Sequence, residues 1–244
     1  MSGSKTPGES WRAEGVPTDC CELSPSMENY LKAIVHLDAQ EESVTTTALA
    51  QRVDVAPPSA SAMLHRLRNA GLVSGGAGEA PVLSEHGRRH ALRVVRRHRL
   101  VETFLAEVLD VPWDEVHAEA ERLEHALSPA LEDRIAVRLG EPTHDPHGDP
   151  IPPRDGDHDE AWPDPLEAAP AGTRFRVERI VDRDSGMLRY LGELGIRPGT
   201  TLTVGTRDPF GGPLWVEVGD RPQPLGLPLA RLVHGTIVRE STGS

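Results

Sequence analysis

The stretch from Asp114 to Leu127 reads DEVHAEAERLEHAL and concentrates imidazoles with carboxylates. On a helix at 100° per residue, His117, Glu121, Glu124 and His125 fall at about 0°, 40°, −20° and 80°. Four side chains able to ligate a cation therefore share one face. Val116, Ala120, Leu123 and Leu127 form a separate apolar stripe. Upstream, His98 and Glu102 stand four apart and share a face of the preceding helix. Packing these two helices together would bring six nitrogen and oxygen donors to one place. A single His–Glu pair at this spacing is commonly just a surface pair worth a few tenths of a kcal/mol; the convergence of six is what points to a metal. Imidazole and carboxylate without thiolate suit Mn(II), Fe(II), Co(II) or Zn(II), and dominance of carboxylates favours octahedral Mn(II). Buried carboxylates repel one another unless a cation lies between them, so metal binding would be coupled to how the helices are arranged.

The elements that must position these residues follow from periodicity and caps. Ser24-Pro25 opens a helix carrying Tyr30, Leu31, Ile34, Val35 and Leu37. Thr45 to Thr47 cap a second helix, and Pro57-Pro58 begin a third that stops at Gly71. Leu72-Val73, a tip at Gly75 to Gly78, and Val82-Leu83 read as a small hairpin. Ser84 caps a long helix from about His86 to Leu109, Asp114–Leu127 is the next, and Ser128-Pro129 start another that ends at Gly140. From Gly172 the pattern changes to alternation, with strand-like LTVGT, LWVEV and GTIVRE around a short helix from Met187 to Leu194. The fold class is mainly α with a small β-barrel at the C-terminal end. Residues 1–23, including Cys20 and Cys21, read as a polar tail. Residues 141–171, rich in Asp, Pro, His and Gly, read as a linker in which His144, His147 and His158 are expected to be solvated.

Helix, helix, tight turn, helix and hairpin over residues 24–97 is the layout of a winged helix-turn-helix. Its third helix would enter the major groove of double-stranded DNA. Ser59 and Ser61 are short donors suited to close approach, and Pro57 and Pro58 offer stiff apolar contact. Arg52, Arg66 and Arg68 would meet phosphates. The hairpin carries Glu79 and no Lys or Arg, so it should add little electrostatic affinity.

Charge distribution supports this division. The whole chain of 244 residues has a net charge of −12, yet residues 24–100 hold ten basic against seven acidic residues. Residues 101–244 hold fourteen against twenty-seven. Phosphates respond to the local charge, which is positive where the DNA module lies. Only 4% of residues are aromatic, which argues against an aromatic-lined pocket for a small organic substrate. No apolar run is long enough to span a bilayer, and the opening residues lack the apolar core of a secretory signal. Two adjacent cysteines offer no disulfide framework, and a cytoplasmic location is expected. A metallo-hydrolase is the alternative from another class. Against it, the sequence has no His-Glu-x-x-His, no nucleophile elbow and no phosphate-binding glycine loop.

With these residues in view, the sequence resembles the diphtheria-toxin-repressor family of metal-dependent transcriptional repressors. The matching segments are SMENYLKAIVHL, the helix-turn-helix up to RLRNAGLV, RRHRLVETFL, and WDEVHAEAERLEH followed by DPHGDPIP. LRYLGELGIRPG resembles the helix-and-turn signature of the SH3-like domain that closes such chains. The resemblance covers about residues 24–240 and implies a homodimer. It implies a winged helix over 24–97, a metal-binding and dimerisation domain over 98–140, and an SH3-like domain over 172–241. It also implies two metal sites per subunit. Glu121, Glu124 and His125, with Asn29 from the first helix, match the primary site. His98, Glu102 and His117 match the ancillary site, with Asp184 where the SH3-like domain offers an acidic ligand; Met187 replaces a usual amide. Iron-sensing members have Met on the first helix and Cys where Glu121 stands; manganese-sensing members have Asp and Glu. Glu121 therefore implies a Mn(II)-responsive regulator of metal homeostasis genes, with an Fe(II)-dependent repressor of iron uptake as the alternative. Asn29 departs from both patterns. Lys32 stands where some manganese members have a Glu that helps to bind a second nearby ion. The operator implied is a palindrome read by two recognition helices.

Overall fold

The protein is described by a computed structural model covering residues 23–238, except 41, 77, 78, 156, 157 and 159. Cys20, Cys21 and all but the last residue of the expected tail lie outside the described residues, as does part of the hairpin tip.

Helix α1 (Pro25–Ala39) begins under the Ser24 hydroxyl, which accepts the Met27 amide. Helix α2 (Thr46–Arg52) is capped in the same way by Thr45. Helix α3 (Pro57–Asn69) opens on proline, whose missing N–H costs nothing in a first turn. Leu31, Ile34, Leu49, Leu64 and Leu67 from these helices form a common core. Strands β1 (Val73–Ser74) and β2 (Val82–Leu83) pair as the expected hairpin. Helix α4 (Glu85–Leu109) then runs from the DNA module into the middle of the molecule. Its Gly87 lies against the preceding turn, where a Cβ would sit 2.0 Å from the Leu72 carbonyl oxygen.

Helix α5 (Val116–Leu123) is shorter than the sequence suggests and tightens into a 3-10 turn over Glu124–Ala126. The chain leaves it extended at Leu127 to reach the Ser128 cap of α6 (Pro129–Arg138). The C-terminal part contains β3 (Asp164–Pro165), β4 (Arg174–Ile180), α7 (Ser185–Glu193), β5 (Thr201–Arg207), β6 (Leu214–Val218), β7 (Arg221–Leu225), α8 (Leu227–Ala230) and β8 (Val233–Val238). The strands form one antiparallel six-stranded sheet in the order β3-β8-β4-β5-β6-β7. Bulges after Val177 and Val204 bend it around Phe175, Leu202, Val216 and Val233. Strand β7 holds Pro222 and Pro224, which the sheet tolerates because β7 lies at its edge. Trp113, from the turn between α4 and α5, inserts into this second core beneath Arg197.

The segment expected to be a solvated linker is instead built into the fold. His147 is fully buried, and Asp145, Asp149 and Glu160 are buried; His158 is largely covered, and of the three histidines only His144 remains exposed. Its polar residues are buried because they find partners. Arg99 forks onto both oxygens of Glu160 at 2.6 and 2.8 Å. Arg179 donates to Asp149 and stacks on Trp162. Gly148 turns with φ +87°, and a Cβ there would lie 1.8 Å from the Glu178 carbonyl oxygen. Among the described residues, no helix is long and apolar enough to cross a membrane.

Candidate metal centre

The i, i+4 spacing on α4 aims His98 and Glu102 into the protein, with His98 Nε2 2.9 Å from Glu102 Oε1. Helix α5 brings His117 Nδ1 to 3.1 Å from the same oxygen. From the segment after β4, Asp182 Oδ2 reaches 2.9 Å from His117 Nδ1. Donor atoms of His98, Glu102, His117 and Asp182 lie within 4.8 Å of one another, a set able to hold a cation. Three of these residues were expected from sequence; the fourth was not. Asp184 is exposed and caps α7, its Oδ1 accepting the Met187 amide at 2.9 Å. Its carboxylate is committed to the helix N-terminus, and Asp182 takes the place expected for it.

The second set is assembled differently from the expectation. Glu121 and Glu124 come together, but the cation between them is Lys32. Its Nζ stands 2.7 Å from Glu121 Oε1 and 2.7 and 3.0 Å from the two Glu124 oxygens. His98 Nδ1 closes the group at 2.5 Å from Glu124 Oε2. His125 is turned to Glu28, Nδ1 to Oε2 at 2.6 Å, while Arg97 holds the other Glu28 oxygen at 2.7 Å. Asn29 lines the same cleft of about 510 Å³ as Lys32, His98, His117, Glu121 and Asp182. Asn29 Oδ1 is buried without a hydrogen-bond partner, and His125 Nε2, which makes no hydrogen bond either, stands 3.3 Å from Glu124 Oε1. Orphaned donors around a carboxylate pair fit a cation site whose charge Lys32 supplies in this conformation.

The electrostatics follow from this crowding. Burial opposes the charge on Glu124, but His98 and Lys32 outweigh it and hold the carboxyl down at about 2. Burial likewise opposes charge on His117, yet Asp182 and Glu102 push it up to about 11. His98 is raised despite burial, chiefly by Glu102. Burial, with Asp149 and Glu102 adding to it, holds the Asp145 carboxyl well above its usual range.

On α3 the structure exposes Pro57, Pro58, Ser59, Ser61 and Arg66, as a recognition helix requires. His65 and Asn69 extend the Ser61 row at i, i+4 spacing and hydrogen-bond to each other at 3.0 Å; that spacing was the signal by which sequence could have found them. Arg68 is half-buried. Arg52 is also half-buried and lines the cleft beside Asn29 and Lys32 rather than joining the exposed row. Asp182, Glu28, Asp145 and His147 were missed by sequence reasoning; a histidine flanked by two aspartates in DPHGD was the available signal for the last two.

Residues 22–75 match the family described as "Iron dependent repressor, N-terminal DNA binding domain". Residues 84–153 match "Iron dependent repressor, metal binding and dimerisation domain", and 165–236 match "FeoA domain". The chain is 36% identical over 206 residues to the iron-dependent repressor IdeR of Mycobacterium tuberculosis, covering 78% of this chain and 88% of that protein. It is 28% identical to the diphtheria toxin repressor of Corynebacterium diphtheriae, over 77% of this chain and 87% of that protein. Among solved structures, a manganese-dependent transcriptional repressor in complex with manganese is 40% identical over 87% of this chain and 100% of its own, with a TM-score of 0.81. The manganese regulator SloR is 27% identical over 88% of this chain and 100% of its own, with a TM-score of 0.75. DNA and a second copy of the chain are the partners these domains bring. The chain belongs to the diphtheria-toxin-repressor family of metal-dependent, DNA-binding transcriptional repressors, which are not enzymes.

Proposed function

We propose that this repressor responds to Mn(II) and binds a palindromic operator as a homodimer, controlling metal homeostasis genes. The carrying observation is the donor set. Glu102, Glu121, Glu124 and Asp182 supply oxygen, His98, His117 and His125 supply imidazole, and no thiolate or thioether is among them. His98, Glu102, His117 and Asp182 would hold one ion. Glu121, Glu124 and His125 with Asn29 would hold a second once Lys32 gives up its contacts with the two glutamates. A bound ion supplies concentrated positive charge where the carboxylates otherwise depend on Lys32. Asn29 and Lys32 lie on α1 of the DNA module, and the glutamates and histidines lie on α4, α5 and the 3-10 turn that follows α5. Charge in the cleft therefore sets how the recognition helices are held relative to the dimer core. Pro57, Pro58, Ser59 and Ser61 would face base edges and Arg66 a phosphate, with Arg68 beside them.

An Fe(II)-dependent repressor is the second reading, favoured by the identity to IdeR. Selection of duplexes from a random library would separate the two, using chelator, Mn(II), or anaerobic Fe(II). A palindrome enriched with Mn(II) at lower concentration than Fe(II), and not in chelator, is expected. Equal enrichment in chelator, or the reverse metal order, would overturn the reading.

A further inference from the structure

We propose, resting on the Mn(II)-gated DNA binding put forward above, that Arg183 is a positioning residue of the repressor. It latches the SH3-like domain to the DNA module and so carries metal binding at Asp182 to the recognition helix. Arg183 Nη2 donates to Gln40 Oε1 at 2.6 Å, a contact between residues 143 positions apart. The same nitrogen stands 3.9 Å from Glu42 Oε1. Gln40 caps the C-terminal end of α1, with its backbone N–H on the His36 carbonyl. Asp182, the neighbour of Arg183 in the chain, reaches His117 on α5 at 2.9 Å. Two consecutive side chains thus join the SH3-like domain to the metal centre and to the DNA module.

The stretch that carries them has little freedom. The Val181 amide donates to the Leu232 carbonyl at 2.9 Å, and the Asp184 carboxylate accepts the Met187 amide at 2.9 Å. With both ends held, an ion that fixes Asp182 also fixes the point from which Arg183 reaches out. Helix α1 is then held at two places, near Asn29 and Lys32 by the charge in the cleft and at Gln40 by Arg183. At the usual helical rise these places lie about 16 Å apart along the axis. A rigid helix held at one point can pivot, and a second point removes the pivot. Leu31 and Ile34 of α1 share a core with Leu64 and Leu67 of α3, so the orientation of α1 is also that of the recognition helix.

The contact is suited to bias an equilibrium and not to hold the fold. The Arg183 and Glu42 side chains are 44% and 48% exposed. Both residues line the cleft of about 510 Å³ and also a second cavity of about 500 Å³ beside Gln40, Trp162 and His234, so open space flanks the contact on either side. A solvent-exposed pair shifts an equilibrium by at most about fivefold. That is enough to tune a metal response and too little to decide folding.

The test uses the full chain and the duplex that the wild type selects from a random library. It measures the Mn(II) concentration giving half-maximal binding in Arg183→Ala, Gln40→Ala and the double variant. Expected is a rise of about 2- to 5-fold in each single variant, and no more in the double variant than in Arg183→Ala, because both changes remove one contact. Manganese content at saturation and the melting temperature in chelator should match wild type. A through-space charge effect has the opposite sign. Loss of a positive charge near Asp182 would favour the cation and lower the Mn(II) needed, and Gln40→Ala would not have that effect. An unchanged or lower Mn(II) requirement in Arg183→Ala, or a double variant whose effect is the product of the two singles, would overturn the latch and leave the Mn(II)-gated reading standing. Wild type that binds the duplex equally in chelator would remove that reading and the latch with it.

Discussion

The ammonium of Lys32 stands 2.7 Å from a Glu124 carboxylate that is fully buried. A lysine from the DNA module thus neutralises the carboxylates of the metal-binding helix. Replacing it leaves Glu121 and Glu124 facing each other with only imidazoles beside them: His98 and His125 at 2.5 and 3.3 Å from Glu124, and His117 at 3.7 Å from Glu121. Lys32→Met should therefore destabilise the chelator-treated protein by about 3–5 kcal/mol, the usual cost of orphaning a buried charge. Mn(II) should restore the loss and bind the variant more tightly than wild type, since it no longer competes with an ammonium. Melting curves with and without Mn(II) measure both effects. An unchanged melting temperature in chelator would mean that the Lys32 contacts carry no weight.

Two aspartates, two residues apart, have different work. Asp182 meets His117 at 2.9 Å, while Asp184 caps α7. Asp182→Asn should weaken Mn(II) binding at the His98–Glu102–His117 set by about 10- to 100-fold, as loss of a charged ligand does. Asp184→Asn should leave metal affinity intact and shift stability by a few tenths of a kcal/mol, because asparagine caps helices as well as aspartate. Isothermal titration of the two variants distinguishes them, and weaker binding in Asp184→Asn alone would restore the sequence expectation.

That pair shows where sequence was legible and where it was not. Helix caps at Ser24, Thr45, Ser84 and Ser128 are local chemistry, and each stands where its residue type placed it. The inward aim of His98, Glu102 and His117 is also local, set by helical period. Asp182 and Asp184 are both acids before one helix, and only tertiary contact decides which reaches His117. The same holds for residues 141–171. Their composition reads as loop and they are irregular, yet Arg99 and Arg179 lie at sequence positions far from Glu160 and Asp149. Nothing local in DPHGDP announces those partners, so burial of His147 could not be anticipated from polarity.

Arg99 and Glu160 pin that segment to α4, and both are buried. Burial opposes the Glu160 charge, but His158 and Arg99 hold its carboxyl well below the usual range. A depressed folded-state value gives stability that is present above the unfolded value, about 4.3, and is lost as pH falls toward the folded one. Glu160→Gln should cost about 3 kcal/mol at pH 7. The gap between variant and wild type should narrow as pH is lowered below about 4. Thermal melts across pH measure it; a gap that does not change with pH would show that the pair contributes through packing and not through charge.

The arginines of the DNA module divide by exposure. Arg66 lies on the open face of α3 with Ser59 and Ser61, whereas Arg52 lines the cleft beside Asn29 and Lys32. A phosphate contact releases counterions, and each one adds about 0.9 to the slope of log affinity against log salt. Arg66→Ala should weaken binding evenly across operator variants and reduce that slope by about 1 per subunit. Arg52→Ala should leave the slope unchanged and alter instead the Mn(II) concentration needed for binding, because its side chain lines the cleft with Lys32, Glu121 and Asp182. Fluorescence anisotropy over a salt series, repeated over a Mn(II) series, reads both quantities from the same samples. A slope that falls in Arg52→Ala would place that guanidinium on a phosphate and require the DNA module to turn relative to α4 when it binds.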